Sequence, residues 1–274
     1  MKAGSNTDIA LATVPLKIRR NIHFKTSETL SEIEDESVQS VVTSPPYWNL
    51  KDYKHPKQIG FGETYADYLS RLDAVWSECK RVIKQDGTMW IVIDKIMQTE
   101  EITPIPYDIA QRCRKIGFLL QDVIVWNKPT SIAGMNPINL VNKFENVLFL
   151  SRSKHFKLRT PNERRRAPPD WTRDSQRVTD FWRIPVKAGS IRKTPAHEAP
   201  YPDELIRRVI LLSTDDLDIV LDPFLGSGTT MKVALQLNRR SIGYEINSDF
   251  GPVIAEVLSG LQPPHIARGV EEFA

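Results

Sequence analysis

The chain has 274 residues, of which 41% are hydrophobic and 26% are charged, a composition typical of a soluble globular protein. No apolar run approaches the roughly 18 residues of a membrane span, and the N-terminus does not resemble a secretion signal, so we expect a cytoplasmic protein outside the membrane. Two cysteines, Cys79 and Cys113, are too few for a disulfide framework or a zinc site, and no metal is expected.

The net charge of +3 is unevenly distributed along the chain. Residues 151–196 hold thirteen Lys and Arg against four Asp and Glu, a net charge of +9, which leaves −6 for the rest. The segment contains several prolines and aromatic residues, so we expect an ordered but irregular insertion rather than a disordered tail. A basic segment of this kind is typical of proteins that bind a polyanion.

Strand-like and helix-like patterns alternate on both sides of this basic segment. Before it, the pattern predicts strands at 39–43, 88–93, 118–126 and 144–150, and helices at 64–84 and 106–115. Gly87 is expected to end the first helix. After it, the pattern predicts helices at 203–212, 229–237 and 248–258, and strands at 218–222 and 241–245. This alternation predicts one α/β domain with a mostly parallel, twisted sheet covered on both faces.

The first candidate site follows the strand predicted at 218–222. That strand ends at Asp222, and the Gly-x-Gly turn at 226–228 opens the next helix. Glycines let the backbone approach a ligand closely at the carboxyl end of a strand, where α/β sheets bind cofactors. Glu245 ends the next strand, and its carboxylate can accept hydrogen bonds from both ribose hydroxyls of an adenosine. The third glycine of the dinucleotide fingerprint is absent, which disfavours NAD, and a tight turn beside a solvated acid is the plain structural alternative.

The second candidate site is the run Ser44-Pro45-Pro46-Tyr47-Trp48, which directly follows a strand. Two prolines fix the backbone and remove two amide hydrogens, so the Pro45 carbonyl is free to face a ligand. A hydroxyl, a carbonyl and aromatic planes together suit a planar group that bears an NH2. A rigid turn with ordinary core aromatics is the alternative interpretation of this run.

Together the two runs resemble the amino-methyltransferases that act on exocyclic nitrogens of DNA. Ser-Pro-Pro-Tyr at 44–47 precedes Asp-Pro-Phe-x-Gly-x-Gly at 222–228, which is the motif order of the circularly permuted β group of that family. Segments 49–60, 180–185 and 197–205 also resemble family segments, in the same order. The sequence departs from the family at 23–26, where many relatives carry Gly-Asp.

The resemblance implies a Rossmann-like class I methyltransferase fold and methyl transfer from S-adenosyl-L-methionine. It divides the chain into a catalytic half at 1–150, a target-recognition insertion at 151–196 and a cofactor-binding half at 197–274. The residues implied to hold the cofactor are Asp222, Phe224, Gly226, Ser227, Gly228, Thr229, Glu245 and His197.

The same resemblance implies that Ser44, Pro45, Pro46 and Tyr47 are the catalytic residues. Ser44 Oγ and the Pro45 carbonyl would hold the amine hydrogens, and Tyr47 would stack on a base extruded from the duplex. Neither cysteine lies in a catalytic motif, which speaks against methylation of cytosine at carbon 5. Serine at position 44 favours N4 of cytosine, with N6 of adenine as the alternative.

Double-stranded DNA is the implied partner, together with a restriction endonuclease that acts on the same site, in the nucleoid of a prokaryotic cytoplasm. The residues expected to contact DNA are Arg164, Arg165, Arg166, Arg173, Arg177 and Trp171. Two other function classes stay open. A non-catalytic DNA-binding module would not need both intact motifs, and a nicotinamide-dependent oxidoreductase would not account for Ser-Pro-Pro-Tyr.

Overall fold

The computed structural model describes residues 11–98, 101–129, 142–159, 179–186 and 201–265. The strands in these ranges are β1 Ile22–His23, β2 Val38–Thr43, β3 Ile83–Ile93, β4 Ile96–Gln98, β5 Glu101–Thr103, β6 Leu119–Asn127, β7 Phe144–Ser151, β8 Phe181–Arg183, β9 Ile219–Asp222 and β10 Arg240–Tyr244. The α-helices are α1 Leu16–Arg19, α2 Tyr65–Val82, α3 Ile105–Ile116, α4 Asp203–Ser213, α5 Thr229–Gln236 and α6 Gly251–Val257.

Eight of these strands form one sheet in the order β1-β10-β9-β2-β3-β7-β6-β8. Strand β7 pairs antiparallel with both of its neighbours, and the other neighbouring pairs are parallel. Strands β4 and β5 form a separate antiparallel pair. The predicted α/β fold with a mostly parallel sheet is confirmed.

Side chains pack on both faces of the sheet, and the central strand β3 contributes to each. Met89, Ile91 and Ile93 belong to the cluster that includes α2 and α3. Trp90 and Val92 belong to the cluster that includes α4 and part of α5. Because successive side chains of a strand point to opposite faces, a strand buried on both faces is apolar throughout. Burial on both faces stabilises the central strands of the sheet. The candidate site lies at the ends of these strands.

Helix α2 forms where the sequence predicts a helix, because its apolar residues recur every three or four positions. The Thr64 hydroxyl accepts a hydrogen bond from the Asp67 backbone N–H at 3.1 Å and caps the first turn. The buried side chains of the helix are Tyr68, Leu69, Leu72, Val75, Trp76, Cys79 and Val82. The helix therefore covers one face of the sheet along its whole length.

The end of α2 differs from the prediction, because the helix stops at Val82 and β3 begins at once with Ile83. Ile83 is fully buried and pairs with Val38 of β2. Gly87 lies inside β3, where an added Cβ would come within 2.5 Å of Ile83 Cγ2 and 2.9 Å of the Gln39 carbonyl oxygen. The prediction that Gly87 ends the helix was wrong: the glycine allows two strands to approach closely.

Two other predicted elements also differ from the structure. The helix expected at 248–258 is a 3-10 turn at Ser248–Phe250 followed by α6. The segment expected to be irregular contributes the edge strand β8, which pairs with the end of β6. Trp182, the central residue of β8, has its side chain buried in the core. Burial of one large aromatic side chain therefore holds the end of the basic segment against the sheet.

The start of the basic segment is anchored to the acidic body of the protein. Arg152 forms an ion pair with Glu36 at 2.7 Å, and Lys157 forms one with Asp218 at 3.0 Å. Glu36 and Asp218 lie just before β2 and β9, which places these pairs at the amino ends of the parallel strands. Arg159 forms an ion pair with Asp215 at the same edge, at 2.7 Å. These three positive charges are neutralised at the edge of the sheet opposite to the candidate site.

Three further features bear on other function classes. Within the ranges given above, no helix is long and apolar enough to cross a membrane. Those ranges also contain no group of three or more His, Cys, Asp or Glu that could hold a metal ion. Cys79 and Cys113 are buried free thiols, and burial raises the pKa of each. Both thiols are packing residues of the core.

Replacement of Gly87 by alanine should lower the free energy of unfolding by about 1–3 kcal/mol, because the new methyl group would press on Ile83 and on the Gln39 backbone. Guanidinium denaturation followed by circular dichroism measures this change. Gln85→Ala, at an exposed position of the same strand, is the matched control and should cost less than about 0.5 kcal/mol. Wild-type stability of Gly87→Ala would contradict the close approach.

Candidate active site

The two sequence motifs meet at the carboxyl edge of the sheet. Strands β9 and β2 are parallel neighbours, so the turn after Asp222 and the run after Thr43 leave the sheet side by side. Strand β10, the other neighbour of β9, leads into Glu245 at the same edge. Ligands of open α/β sheets bind at this edge, outside the carboxyl ends of the strands.

A hydrogen bond joins the two motifs directly. Thr43 Oγ1 donates to Asp222 Oδ1 at 2.6 Å, between residues that are 179 positions apart in sequence. The Phe224 backbone N–H donates to the same oxygen at 3.0 Å, and the Tyr201 hydroxyl donates to Oδ2 at 3.2 Å. Burial raises the pKa of Asp222, and these donors oppose the rise. The carboxylate is fully buried, and its hydrogen bond with the Phe224 N–H holds the start of the turn that follows Asp222.

The turn after Asp222 has the conformation that its glycines predict. Gly226 and Gly228 have φ angles of +53° and +89°, in the region that L side chains rarely adopt. Gly228 is the N-cap of α5, so the backbone N–H groups of the first helical turn point out of the edge. Ser227 Oγ lies 3.3 Å from Thr229 Oγ1. The predicted cofactor residues from Phe224 to Thr229 therefore form one contiguous turn.

Glu245 lies across this turn and is tied to it. One carboxylate oxygen accepts from the Gly226 N–H at 2.9 Å, and the other accepts from the Asn247 N–H at 2.9 Å. Burial is the main cause that raises the pKa of Glu245 to about 7, and the two N–H donors oppose it. Each oxygen keeps a lone pair that can accept a ligand hydroxyl. The position suits the predicted contact with a ribose.

The Ser-Pro-Pro-Tyr run follows β2 directly, beside the turn, and belongs to no helix or strand. The Pro46 carbonyl accepts a hydrogen bond from the Tyr68 hydroxyl at 2.8 Å. Among the described residues, no donor reaches the Pro45 carbonyl oxygen, and Pro45 itself is buried. Ser44 and Tyr47 are half-buried. The run thus offers acceptors and an aromatic ring at one place.

Tyr47 reaches a cluster of charged residues at the ends of three strands. Its hydroxyl donates to Glu145 Oε2 at 3.1 Å, and Lys128 donates to Glu145 Oε1 at 2.7 Å. Asp94, at the end of β3, is buried nearby and is hydrogen-bonded by Asn142. Burial and the charges of Glu145 and Asp94 raise the pKa of Tyr47 well above its usual range. These charged residues lie outside both sequence motifs.

The loop after the Ser-Pro-Pro-Tyr run is held against the segment that follows Glu245. The Asn247 side chain donates to the Tyr53 carbonyl oxygen at 2.9 Å. Burial, and then the charge of Glu245, raises the pKa of Tyr53 to about 12. Trp48 donates to the Glu63 carbonyl oxygen at 3.0 Å and packs on Tyr65. Trp48 is therefore an anchor of the loop.

Several site residues were identifiable from sequence and several were not. Ser44, Pro45, Pro46, Tyr47, Asp222, Phe224, Gly226, Ser227, Gly228, Thr229 and Glu245 come together at one edge. The predicted residues His197, Arg164, Arg165, Arg166, Arg173, Arg177 and Trp171 lie outside the described residues. The structure adds Thr43, Tyr53, Tyr201, Asn247 and Glu145. Of these, Tyr53 and Tyr201 lie in segments that resemble the family, and the others had no sequence signal.

Comparison with protein families gives one match that covers most of the chain. Residues 38–256 match the family model N6_N4_Mtase, described as DNA methylase. A similar characterised protein is the Type II methyltransferase M.Cfr9I of Citrobacter freundii. It is 32% identical over 262 residues, which cover 84% of each chain. The family match at 38–256 includes both motifs and the strands that carry them, β2 and β9.

Solved structures agree with this result. The DNA modification methylase TTHA0409 of Thermus thermophilus, in complex with S-adenosyl-L-methionine, is 29% identical with a TM-score of 0.65, over 88% of this chain and 96% of that one. The cytosine-N4-specific PvuII DNA methyltransferase matches in fold, with a TM-score of 0.69 at 19% identity over 88% and 86% of the chains. The predicted Rossmann-like methyltransferase fold is confirmed. The protein belongs to the N6/N4 DNA methylase family.

Proposed function

We propose that this enzyme methylates the exocyclic N4 amine of a cytosine that has been flipped out of double-stranded DNA. The observation that carries the proposal is the Thr43–Asp222 hydrogen bond, which sets the Ser-Pro-Pro-Tyr run directly beside the cofactor turn. A methyl acceptor held by the first motif lies next to a donor held by the second. Proximity and orientation of this kind supply much of the rate of a transfer between two bound molecules.

The methyl donor is S-adenosyl-L-methionine, which supplies an electrophilic methyl group on a sulfonium sulfur. The residues of the turn fit this molecule: Glu245 accepts the ribose hydroxyls, and the glycines at 226 and 228 leave the turn without side chains there. Tyr53 lies in the loop that the Asn247 side chain holds near Glu245. His197 is our candidate for the methionine end, by its resemblance to the family segment.

Ser44 Oγ and the Pro45 carbonyl oxygen accept the two hydrogens of the target amine. The lone pair of such an amine is delocalised into the ring, and two acceptors favour a pyramidal nitrogen whose lone pair points at the methyl group. The nitrogen attacks the methyl group, the S–CH3 bond breaks and neutral S-adenosylhomocysteine leaves, and the methylated nitrogen then loses one proton to water. The catalysis is electrostatic and orientational, without a covalent enzyme intermediate. Tyr47 stacks on the flipped base.

Serine at the first position of the motif supports cytosine N4 as the target, because Ser-Pro-Pro-Tyr resembles the cytosine-N4 type of the family. Adenine N6 is the alternative, since the matched family includes both kinds of amine. Both reactions use the same pair of acceptors. The two bases differ in the size of the ring that the pocket must hold.

The described basic residues at the start of the segment 151–196 bind carboxylates away from the candidate site, so we assign DNA contact to other residues of the segment. Arg152, Lys157 and Arg159 are engaged at the opposite edge of the sheet. We therefore assign phosphate and base contacts to the predicted residues between 164 and 177. The recognition role proposed for the segment 151–196 is thereby limited to the residues between 164 and 177. A cognate endonuclease remains the proposed second partner.

Incubation of the enzyme with unmethylated DNA and labelled S-adenosyl-L-methionine tests the proposal. Mass spectrometry of the digested nucleosides should detect N4-methylcytosine. Ser44→Ala should reduce turnover about 100-fold, because one of two oriented acceptors is lost. Calorimetry should give the variant the cofactor affinity of the wild type.

The possible products separate the alternatives. N6-methyladenine would replace the cytosine assignment with adenine, and no labelled product on any DNA would overturn the proposed substrate. Unchanged turnover of Ser44→Ala would refute the role of its hydroxyl, whatever the base.

Cofactor affinity should depend on pH through Glu245, whose pKa is raised to about 7 by burial. Ribose hydroxyls donate to the ionised carboxylate, so binding favours that form. Affinity for S-adenosyl-L-methionine should therefore fall as pH drops through 7, by about tenfold between pH 8 and pH 6. Calorimetric titrations over this range measure the change.

Glu245→Gln should remove this pH dependence, because the amide does not titrate. Glu256→Gln, which changes an exposed carboxylate on α6, is the matched control and should keep the wild-type profile. The same pH profile in Glu245→Gln as in the wild type would assign the titration to another group.

A further inference from the structure

Arg71, on helix α2, lies in neither sequence motif and yet donates five hydrogen bonds. Its Nε and Nη2 donate to the two carboxylate oxygens of Glu28, at 2.9 and 2.7 Å. Nη1 donates to Glu63 Oε1 at 2.6 Å and to the Gln58 carbonyl oxygen at 2.9 Å. Nη2 also donates to the Lys57 carbonyl oxygen at 3.1 Å. All three nitrogens of the guanidinium group are therefore engaged.

The partners of Arg71 belong to two loops that leave the sheet at the same edge. Glu28 lies in the β1 loop, residues 24–37, and the other three partners lie in the β2 loop, residues 48–64, which follows the Ser-Pro-Pro-Tyr run. In the sheet, strands β10 and β9 lie between β1 and β2. The two loops thus leave the strands on either side of those that lead to Glu245 and to the turn after Asp222. Arg71 joins one loop to the other.

Both loops are also attached close to Glu245. The Glu245 backbone N–H donates to the carbonyl oxygen of His23, at the end of β1, at 3.0 Å. The Asn247 side chain donates to the carbonyl oxygen of Tyr53, in the β2 loop, at 2.9 Å. Together with Arg71 these hydrogen bonds close a ring that runs through both loops and the segment after Glu245. In a closed ring, each contact constrains the position of the others.

The geometry at Arg71 requires a guanidinium group. Arginine presents five N–H donors in one plane, so it can bind a carboxylate with two parallel hydrogen bonds and still reach other acceptors. Lysine presents its three donors from a single nitrogen and cannot hold both loops at once. An isolated ion pair that is partly exposed contributes about 0–1 kcal/mol to stability, whereas a network with two carboxylates and two backbone carbonyls fixes a geometry.

We propose that Arg71 is a positioning residue for cofactor binding, which holds the β2 loop against the β1 loop and thereby keeps the contact between Tyr53 and Asn247 in place next to Glu245. This inference rests on the proposed contact of Glu245 with the ribose and extends it to a side chain outside both motifs. Loss of Arg71 should therefore weaken binding of S-adenosyl-L-methionine more than it slows methyl transfer.

Calorimetry and single-turnover kinetics on the full chain test this inference. Arg71→Ala should raise the Kd for S-adenosyl-L-methionine about tenfold or more, because the β2 loop is then attached at one end only. Methyl transfer to DNA at saturating cofactor should stay within about threefold of the wild type. A purely structural role would lower the fraction of protein that binds and leave Kd unchanged. That result, or a loss confined to turnover, would overturn the inference.

Two further variants separate geometry from charge. Arg71→Lys keeps the positive charge but should share most of the loss of affinity, and wild-type affinity in this variant would overturn the role of the guanidinium group. Arg112→Ala is the matched control. Arg112 forms an ion pair of 2.7 Å with Asp73 of α2 and joins that helix to α3 rather than to a loop. This control should keep the wild-type Kd.

A double-mutant cycle with Asn247→Ser tests the route through the β2 loop. Serine is too short to reach the Tyr53 carbonyl oxygen but retains a side-chain oxygen to accept from the Asp249 N–H, as Asn247 does at 2.9 Å. In this background Arg71→Ala should change Kd by less than about threefold, because the ring is already open. Additive losses would overturn the inference. Normal cofactor affinity in Glu245→Gln at pH 8 would instead refute the proposed ribose contact.

Discussion

The hydrogen bond from Thr43 to Asp222 links two strand ends that the sequence separates by 179 residues. A fully buried carboxylate without donors would cost several kcal/mol, so the fold must supply Thr43, Tyr201 and the Phe224 N–H together. Ser44 follows Thr43 directly along the chain. Once the hydrogen bonds to Asp222 are made, the backbone sets the distance between the turn that follows Asp222 and Ser44.

Negative charge is concentrated at this edge of the sheet. Asp222, Glu245, Asp94 and Glu145 all lie there with limited access to water. Such a field complements a cationic sulfonium cofactor and opposes a polyanion. The protein therefore needs a separate basic surface to bring DNA to an acidic site. The DNA-contact role that we propose for the basic segment would meet this need.

Local pattern predicted most of the helices and strands, because burial on one or both faces leaves a periodic trace in the sequence. The errors arose where tertiary contact decided the outcome: Gly87 serves strand approach, and β8 exists because Trp182 is buried. The motif residues were predictable because their chemistry requires fixed spacing. Glu145 was not, since its place depends on the register of β7 against β6. Pairing across a sheet leaves no trace at short sequence range.

The two ends of the basic segment are held by different parts of the molecule. Arg159 is bound at the amino edge of the sheet, and β8 ends beside Asn127 at the carboxyl edge. Both attachments use side chains that take no part in methyl transfer. The intervening stretch can therefore change in length and composition without disturbing the strands that hold the reacting groups. Under the DNA-contact role that we propose for residues 164–177, a change of target sequence needs no change in the strands that carry the two motifs.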